Sequence, residues 1–131
     1  MPSQRAIDLF ALLNFGIVGL SLVCQPMAWA RYFAWMRSKA DGGAVIYGLF
    51  CVLWGSLIVS FHREWVGLLV VLPVFGSIQL VEGLVFLVAP AFGLRLMGMF
   101  NEANLGLFRL LGVIALVLAG IIIVAIAPLG F

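Results

Sequence analysis

The chain has 131 residues, of which 66% are hydrophobic and 9% are charged, and its formal net charge is +2 at pH 7. Ordinary soluble domains contain about 45–50% apolar and about 25% charged residues, so this composition excludes a soluble domain and indicates an integral membrane protein. The net positive charge is small and the basic residues form no stripe, and both observations argue against a nucleic-acid partner.

Four apolar stretches are each long enough to cross a bilayer, for which a helix needs about 20 mostly apolar residues. They run from Ile7 to Cys24, from Gly43 to Phe61, from Val66 to Ala89 and from Leu105 to Ala127. We therefore predict an all-α integral membrane protein with four transmembrane helices.

The first stretch carries an acidic residue, Asp8, just inside its start. No small-x-small cleavage pattern closes it, so we expect this helix to be retained rather than removed as a signal peptide. Asn14 lies further along the same stretch, where its side-chain amide is expected to hydrogen-bond to another helix.

Residues 25–42 form the first long loop, in which aromatic and basic residues recur at helical spacing after Pro26. This pattern predicts a short amphipathic helix that lies in the membrane interface. It either caps the bundle or forms a docking surface for a partner or an anionic lipid. The expected contacts of that surface are Trp29, Arg31, Tyr32, Phe33, Trp35, Arg37 and Lys39, together with Arg95 from the second long loop.

Only residues 62–65 separate the second stretch from the third, which predicts a tight turn at one membrane face. The turn contains His62, the one histidine of the chain, and we expect it to be solvated. A single histidine does not supply the paired axial ligands that a b-type haem between helices needs. The sequence also lacks clustered metal ligands and a glycine-rich phosphate loop. We therefore expect no cofactor, no metal site and no enzymatic activity.

The third stretch contains Glu82, an ionisable side chain that costs about 2.5–3.5 kcal/mol to insert into a membrane. Arg109 enters the fourth stretch from the same membrane face, and we predict an ion pair between the two side chains. A proton or cation site at Glu82, or a contact with a neighbouring subunit, are the alternatives. Gln79, one turn earlier, is expected to hydrogen-bond between helices.

The sequence repeats at an offset of 64 residues. The segment GLSLVCQP, from Gly19 to Pro26, aligns without a gap on GLVFLVAP, from Gly83 to Pro90. In the same register Arg31 aligns with Arg95, Gly42 with Gly106, Gly48 with Gly112 and Ile58 with Ile122. We predict two parallel-repeat hairpins, residues 1–64 and 65–131, each with two membrane helices and an interfacial helix between them.

The second repeat reads EGLVFLVAP, then a loop with a basic residue, then FRLLG. In Glu82, Gly83, Pro90, Arg95, Arg109, Leu110 and Gly112 it resembles the YjeT family of small bacterial inner-membrane proteins. The first repeat has Val18 and Val45 at the positions of Glu82 and Arg109. The joint loss of both charges favours an ion pair, because a lone buried charge costs more than a pair or none. The resemblance implies a two-helix hairpin in a bacterial inner membrane and brings no activity with it.

Basic residues are more frequent in the longer loops than at the opposite membrane face. The loop side has Arg31, Arg37, Lys39, Arg95 and Arg109, and the other side has Arg5 and Arg63. By the positive-inside rule, the longer loops are predicted to be cytoplasmic and both termini to face the other way.

These observations predict a non-catalytic accessory or structural subunit that associates with a larger membrane protein complex. The alternative is a small oligomeric transporter or channel, in which Glu82, Gln79 and Asn14 line a pathway between protomers. A third hypothesis is a bundle that interacts with membrane lipids through its basic loops. The predicted partners are thus lipids and other membrane subunits, and a homo-oligomer remains open.

Overall fold

The computed structural model describes residues 2–62, 65 and 67–127. In this part of the chain the regular structure is entirely helical. The α-helices are α1 (Pro2–Cys24), α2 (Pro26–Ser38), α3 (Asp41–Phe61), α4 (Val71–Val88), α5 (Pro90–Met97) and α6 (Leu105–Ile126). Short 3₁₀ turns at Leu68–Val70 and Glu102–Asn104 lead into α4 and α6.

Four of these helices are long and apolar enough to cross a membrane, as the sequence predicts. The apolar spans are Arg5–Cys24, Asp41–Phe61, Leu68–Val88 and Glu102–Ile126. Much of their outer surface consists of exposed aliphatic side chains, for example Ile17 on α1 and Val88 on α4. Apolar surface on this scale is suited to contact with lipid tails.

Helices α2 and α5 each begin at a proline, Pro26 and Pro90. Proline is favoured at the first position of a helix, because its fixed φ suits the helix and its missing N–H would have no partner there. The preceding residues, Gln25 and Ala89, are not helical, so each proline marks the point where a membrane helix has ended and the chain turns. We call the end of the bundle with α2 and α5 the loop end, and the opposite end the terminal end.

The most extensive contacts join α1 with α6 and α3 with α4. In both pairs the backbones approach closely at glycines. A Cβ atom added to Gly19 would lie 2.9 Å from the carbonyl oxygen of Gly112, and one added to Gly83 would lie 2.8 Å from that of Gly48. Helices of the first half of the chain therefore pack on helices of the second half. Contacts within each half, such as α1 with α3, are far fewer.

The buried apolar side chains form one cluster at the terminal end and two at the loop end. The terminal cluster joins α1, α3, α4 and α6 through Ile7, Ala11, Phe15, Ile58, Leu72, Ala119, Ile122 and Ile126. At the loop end, Met36, Ala44, Phe86 and Met97 form a second cluster, and Leu22, Ala30 and Phe108 a third. The short helices α2 and α5 thus close the loop end, where α2 contacts both helix pairs and α5 packs on α3 and α4.

Candidate functional site

A buried polar pair lies at the terminal end of the bundle. Asp8 lies in the second turn of α1, and His62 is the residue at which α3 ends. Nδ1 of His62 lies 2.9 Å from Oδ1 of Asp8, and the two residues are only 0% and 4% exposed. Burial of ionisable groups is costly unless they are paired, so this contact links the start of α1 to the end of α3.

The other imidazole nitrogen, Nε2 of His62, is buried and has no hydrogen-bond partner in the described part of the chain. When Asp8 is a carboxylate, Nδ1 donates to it, and Nε2 has no partner whether or not it carries a proton. An unsatisfied buried polar atom costs about 1–3 kcal/mol. The pair therefore positions the histidine at an energetic cost that a fully bonded side chain would avoid.

The expectation that His62 is solvated is wrong. Its backbone N–H still donates to the carbonyl of Ile58, so His62 continues the hydrogen-bond pattern of α3. Its side chain consequently enters the bundle rather than the surrounding water. The available sequence signal was the presence of an acid and a histidine at the same membrane end, Asp8 entering the first span and His62 leaving the second.

A second polar pair joins α3 and α4 near the loop end. The hydroxyl of Tyr47 donates to Oε1 of Glu82 at 2.5 Å. Tyr47 also packs against Phe86 and Phe33, with ring centroids 4.6 and 6.2 Å apart. Cys51, one turn further along α3, is buried. Glu82, which is predicted to pair with Arg109, thus accepts a hydrogen bond from Tyr47 on the neighbouring helix.

The predicted ion pair between Glu82 and Arg109 is absent from the described residues, where Glu82 instead accepts the hydrogen bond of Tyr47. The reason lies in the helix packing. Glu82 is on α4, which packs on α3, whereas Arg109 is on α6, which packs on α1. Arg109 is exposed, and the side chain of Glu82 is half-buried beside α3.

The two intramembrane amides do not form the predicted links between helices. The amide nitrogen of Asn14 donates to the carbonyl of Phe10 at 2.8 Å, a bond within α1 itself. This hydrogen bond provides the amide nitrogen with an acceptor in its own helix, so it does not require one on a neighbouring helix. Gln79 is half-buried on α4, three residues before Glu82.

Between the two polar pairs, aromatic side chains from three helices fill the bundle. Phe15 of α1 and Phe75 of α4 meet edge to face, with ring centroids 4.7 Å apart. Trp54 of α3 lies 6.2 Å from Phe15 and 6.3 Å from Phe75. Such edge-to-face contacts add stability beyond the area they bury. This aromatic cluster separates Asp8 and His62 at one end from Tyr47 and Glu82 at the other.

An apolar groove of about 300 Å³ lies on the terminal half of the bundle, between α1 and α3. It is lined by Ala6, Ile7, Phe10, Leu57 and Phe61. Its lining is apolar throughout, so it suits an acyl chain better than a polar ligand.

Three of the predicted docking residues have inward contacts instead. The indole nitrogen of Trp29 donates to Oγ of Ser21 at 2.9 Å. Phe33 packs against Phe108, with ring centroids 5.3 Å apart. Arg37 donates to the carbonyl of Met97 at 3.2 Å and to that of Phe100 at 3.5 Å, so it ties α2 to the end of α5.

The other predicted docking residues are exposed at the loop end: Arg31, Tyr32, Trp35, Lys39 and Arg95. On α2 the rings of Tyr32 and Trp35 stack, with centroids 6.2 Å apart and planes inclined by 20°. Nζ of Lys39 lies 5.5 Å from the centroid of the Trp35 ring, within the range of a cation–π contact.

No group of three or more His, Cys, Asp and Glu side chains with the arrangement of a metal site occurs among the described residues. No family model, curated protein or solved structure matches the chain. The resemblance to the YjeT family therefore stays an expectation based on the residues quoted above.

Proposed function

We propose that the chain is a non-catalytic membrane subunit that associates laterally with a larger membrane protein complex. The observation that carries this proposal is the aromatic cluster of Phe15, Trp54 and Phe75, which lies between the two polar pairs and joins α1, α3 and α4. A polar solute that crosses a membrane needs a continuous polar route, and this cluster interrupts one. Because the interior provides no continuous polar route, we infer that the protein acts through its outer surface.

A test of lateral association is site-specific cross-linking from the exterior of the bundle. A photoreactive amino acid is placed in turn at one exposed position of each membrane helix, Ile17, Leu53, Ile78 and Val117. We expect one or two of these faces to form an adduct with a defined companion protein, while the remaining faces react with lipid and serve as matched controls. The adduct is identified by native-gel migration and mass spectrometry.

Lipid adducts alone from all four positions, with a small homo-oligomer on native gels, would overturn the proposal. Identical yields from all four faces would count equally against it, because a specific subunit contact covers only part of the circumference.

A second candidate function is a small oligomeric transporter or channel. It is favoured by the hydrogen bond of Tyr47 to Glu82 inside a membrane span, with half-buried Gln79 one turn away. Ionisable side chains at such depth often mark ion or proton pathways. Proton or cation flux into liposomes that is lost in Glu82→Gln but kept in Arg109→Gln would make this the better proposal. Absence of flux in the unmodified protein would remove it.

We further propose that the chain arose as a tandem repeat of residues 1–64 and 65–131. The helix bounds support this, since Cys24 and Val88, Pro26 and Pro90, and Asp41 and Leu105 are each 64 residues apart. The glycine contacts support it too. Gly19 on Gly112 and Gly83 on Gly48 become equivalent when the two repeats are exchanged. The repeats would then be related by a two-fold axis along the membrane normal, with the first membrane helix of each packed on the last membrane helix of the other.

We also propose a bacterial inner-membrane location with the loop end in the cytoplasm. The described cations of the loop end support this orientation by the positive-inside rule: Arg31, Arg37, Lys39, Arg95 and Arg109. Accessibility of single cysteines placed at Lys39 and at Ala127 to an impermeant thiol reagent, in a background with Cys24 and Cys51 replaced by Ala, tests the orientation from either side of the membrane.

A further inference from the structure

Helix α2 is held at the membrane surface by the helices on either side of it. The spanning helix α1 ends at Cys24 and the spanning helix α3 begins at Asp41, both at the loop end. Between them, α2 buries Ala30 and Met36 against the bundle. The opposite face of α2 is consequently presented at the depth of the lipid headgroups.

The outer face of α2 and the residue that follows the helix carry two cations. Arg31 and Trp35 are four residues apart, which places them on the same side of α2. Lys39, the residue at which α2 ends, reaches back to this side, and all three are exposed. Tyr32 stacks on Trp35, and the ammonium group of Lys39 lies over the Trp35 ring. Amphipathic aromatic rings of this kind prefer the interface, where they hold the neighbouring cations at the level of the lipid phosphates.

The charge around these residues is favourable for an anion. Helix α2 contains no acidic residue over Pro26–Ser38. The third basic residue of the loop, Arg37, is occupied by the carbonyls at the end of α5, so it rigidifies the helix rather than competing for a ligand. Asp41, the first residue of α3, is exposed just beyond Lys39.

We propose that the outer face of α2 binds anionic phospholipid headgroups, with Arg31 and Lys39 contacting their phosphates and with Tyr32 and Trp35 anchoring the helix. This goes beyond lateral association, because it requires no protein partner. Each basic residue near an anionic membrane surface strengthens binding about 5.5-fold, so the two together account for about 30-fold.

Helix α5 provides an internal control. Arg95 lies 64 residues after Arg31 and is likewise exposed. The residues that correspond in the same register to Tyr32, Trp35 and Lys39 are Leu96, Met99 and Ala103. The face of α5 therefore has one cation, with neither the aromatic pair nor the second cation, and is expected to bind anionic lipid weakly.

The experiment uses the full chain in nanodiscs that contain phosphatidylcholine and phosphatidylglycerol. After the protein is released from the nanodiscs, native mass spectrometry counts the lipids of each class that stay bound. Three proteins are compared: the unmodified protein, the double variant with Arg31→Gln and Lys39→Gln, and the single variant Arg95→Gln. We expect selective retention of phosphatidylglycerol by the unmodified protein and by Arg95→Gln. The double variant should bind phosphatidylglycerol about 30-fold more weakly than the unmodified protein. Added salt should lower the affinity of the unmodified protein for phosphatidylglycerol towards that of the double variant.

The substituted side chains are all exposed, so the variants should fold, and gel filtration confirms this before the lipid measurement. Equal retention of the two lipids by the unmodified protein would overturn the proposal. Unchanged selectivity in the double variant, or an equally large loss in Arg95→Gln, would also overturn it, since binding would then lie elsewhere or depend on total charge alone.

Discussion

At the scale of single residues, the interior of this bundle contains polar groups that bind one another rather than open to a solvent route. Asp8 and His62 meet at one end, and Tyr47 and Glu82 at the other. In the proposed repeat register, each pair has apolar counterparts. Leu72 and Ile126 correspond to Asp8 and His62, and Leu111 and Val18 correspond to Tyr47 and Glu82. Both members of each pair change together, as expected for side chains that depend on each other.

The pair of Asp8 and His62 gives the first prediction at this scale. Asp8→Leu removes the hydrogen-bond partner of the buried His62, and His62→Ile removes the same hydrogen bond from the buried Asp8. Each single variant should be destabilised by about 3 kcal/mol. The double variant has the same residue types as the apolar counterpart pair and should recover most of that loss. Thermal unfolding in detergent measures all three. A double variant that loses the sum of the two single losses would show that the two side chains are not coupled.

The hydrogen bond to Glu82 gives the second prediction. Tyr47→Phe removes the donor and should lower the free energy of unfolding by about 1 kcal/mol, the usual size of a hydrogen bond between membrane helices. Arg109→Leu is the matched variant that would weaken the protein if the ion pair existed. We expect it to leave the unfolding midpoint unchanged, because Arg109 is exposed on α6. A larger loss of stability in Arg109→Leu than in Tyr47→Phe would support the ion pair between Glu82 and Arg109 instead.

At the scale of the helices, α2 and α5 are structural parts of the bundle as well as exposed surfaces. Their inward side chains complete the two apolar clusters at the loop end. Arg37 joins them directly, since its guanidinium group on α2 satisfies carbonyls at the end of α5. The end of a helix leaves carbonyls without partners within the helix, and a cation there is favourable. The carbonyl of Met97 accepts from the N–H of Phe100 at 2.9 Å as well as from Arg37. The two helices therefore hold each other in place at the loop end.

A third prediction follows for this link. Arg37→Gln should expose the carbonyls of Met97 and Phe100 and loosen the segment after α5. Hydrogen exchange should become faster at residues 98–101, while exchange in the middle of α1 stays unchanged. Arg31→Gln, an exposed arginine of the same helix, is the control and should leave the exchange of that segment as it is. Equal acceleration in both variants would assign the effect to charge and not to the hydrogen bonds.

At the scale of the whole molecule, stability rests on two helix pairs that each combine one helix from either half of the chain. Glycine contacts permit this by bringing backbones together, and the van der Waals packing they allow is the main source of helix association in a membrane. The contact between Gly19 and Gly112 is therefore essential to the pair of α1 and α6.

The fourth prediction concerns that contact. A Cβ at position 112 would lie 2.7 Å from both the carbonyl oxygen of Gly19 and a methyl group of Val23, so α1 and α6 would have to separate. Gly112→Ala should cost about 1–3 kcal/mol, the usual range for overpacking. Gly120→Ala on the same helix meets open space and is the control, with unchanged or slightly higher thermal stability. A loss in Gly120→Ala as large as in Gly112→Ala would contradict the close contact.

Sequence alone determined the features that follow from local composition. Four apolar runs of membrane length are recognisable because lipid requires continuous apolar helices, and Pro26 and Pro90 mark where α2 and α5 begin. Of the aromatic and basic residues predicted to form an exposed surface after Pro26, Arg31, Tyr32, Trp35 and Lys39 are exposed. Trp29, Phe33 and Arg37 instead have contacts within the bundle.

Only the tertiary structure decided which helices pair and which polar side chains meet. The sequence predicts an ion pair between Glu82 and Arg109 because both residues lie near the same membrane face. The order of residues along the chain does not, however, specify which neighbouring helix each membrane helix packs on. The packing of α4 on α3 places Tyr47 beside Glu82, and the end of α3 places His62 beside Asp8. In a membrane, where every helix is apolar on all sides, hydrophobic pattern does not single out a buried face, and close packing of small residues makes that choice.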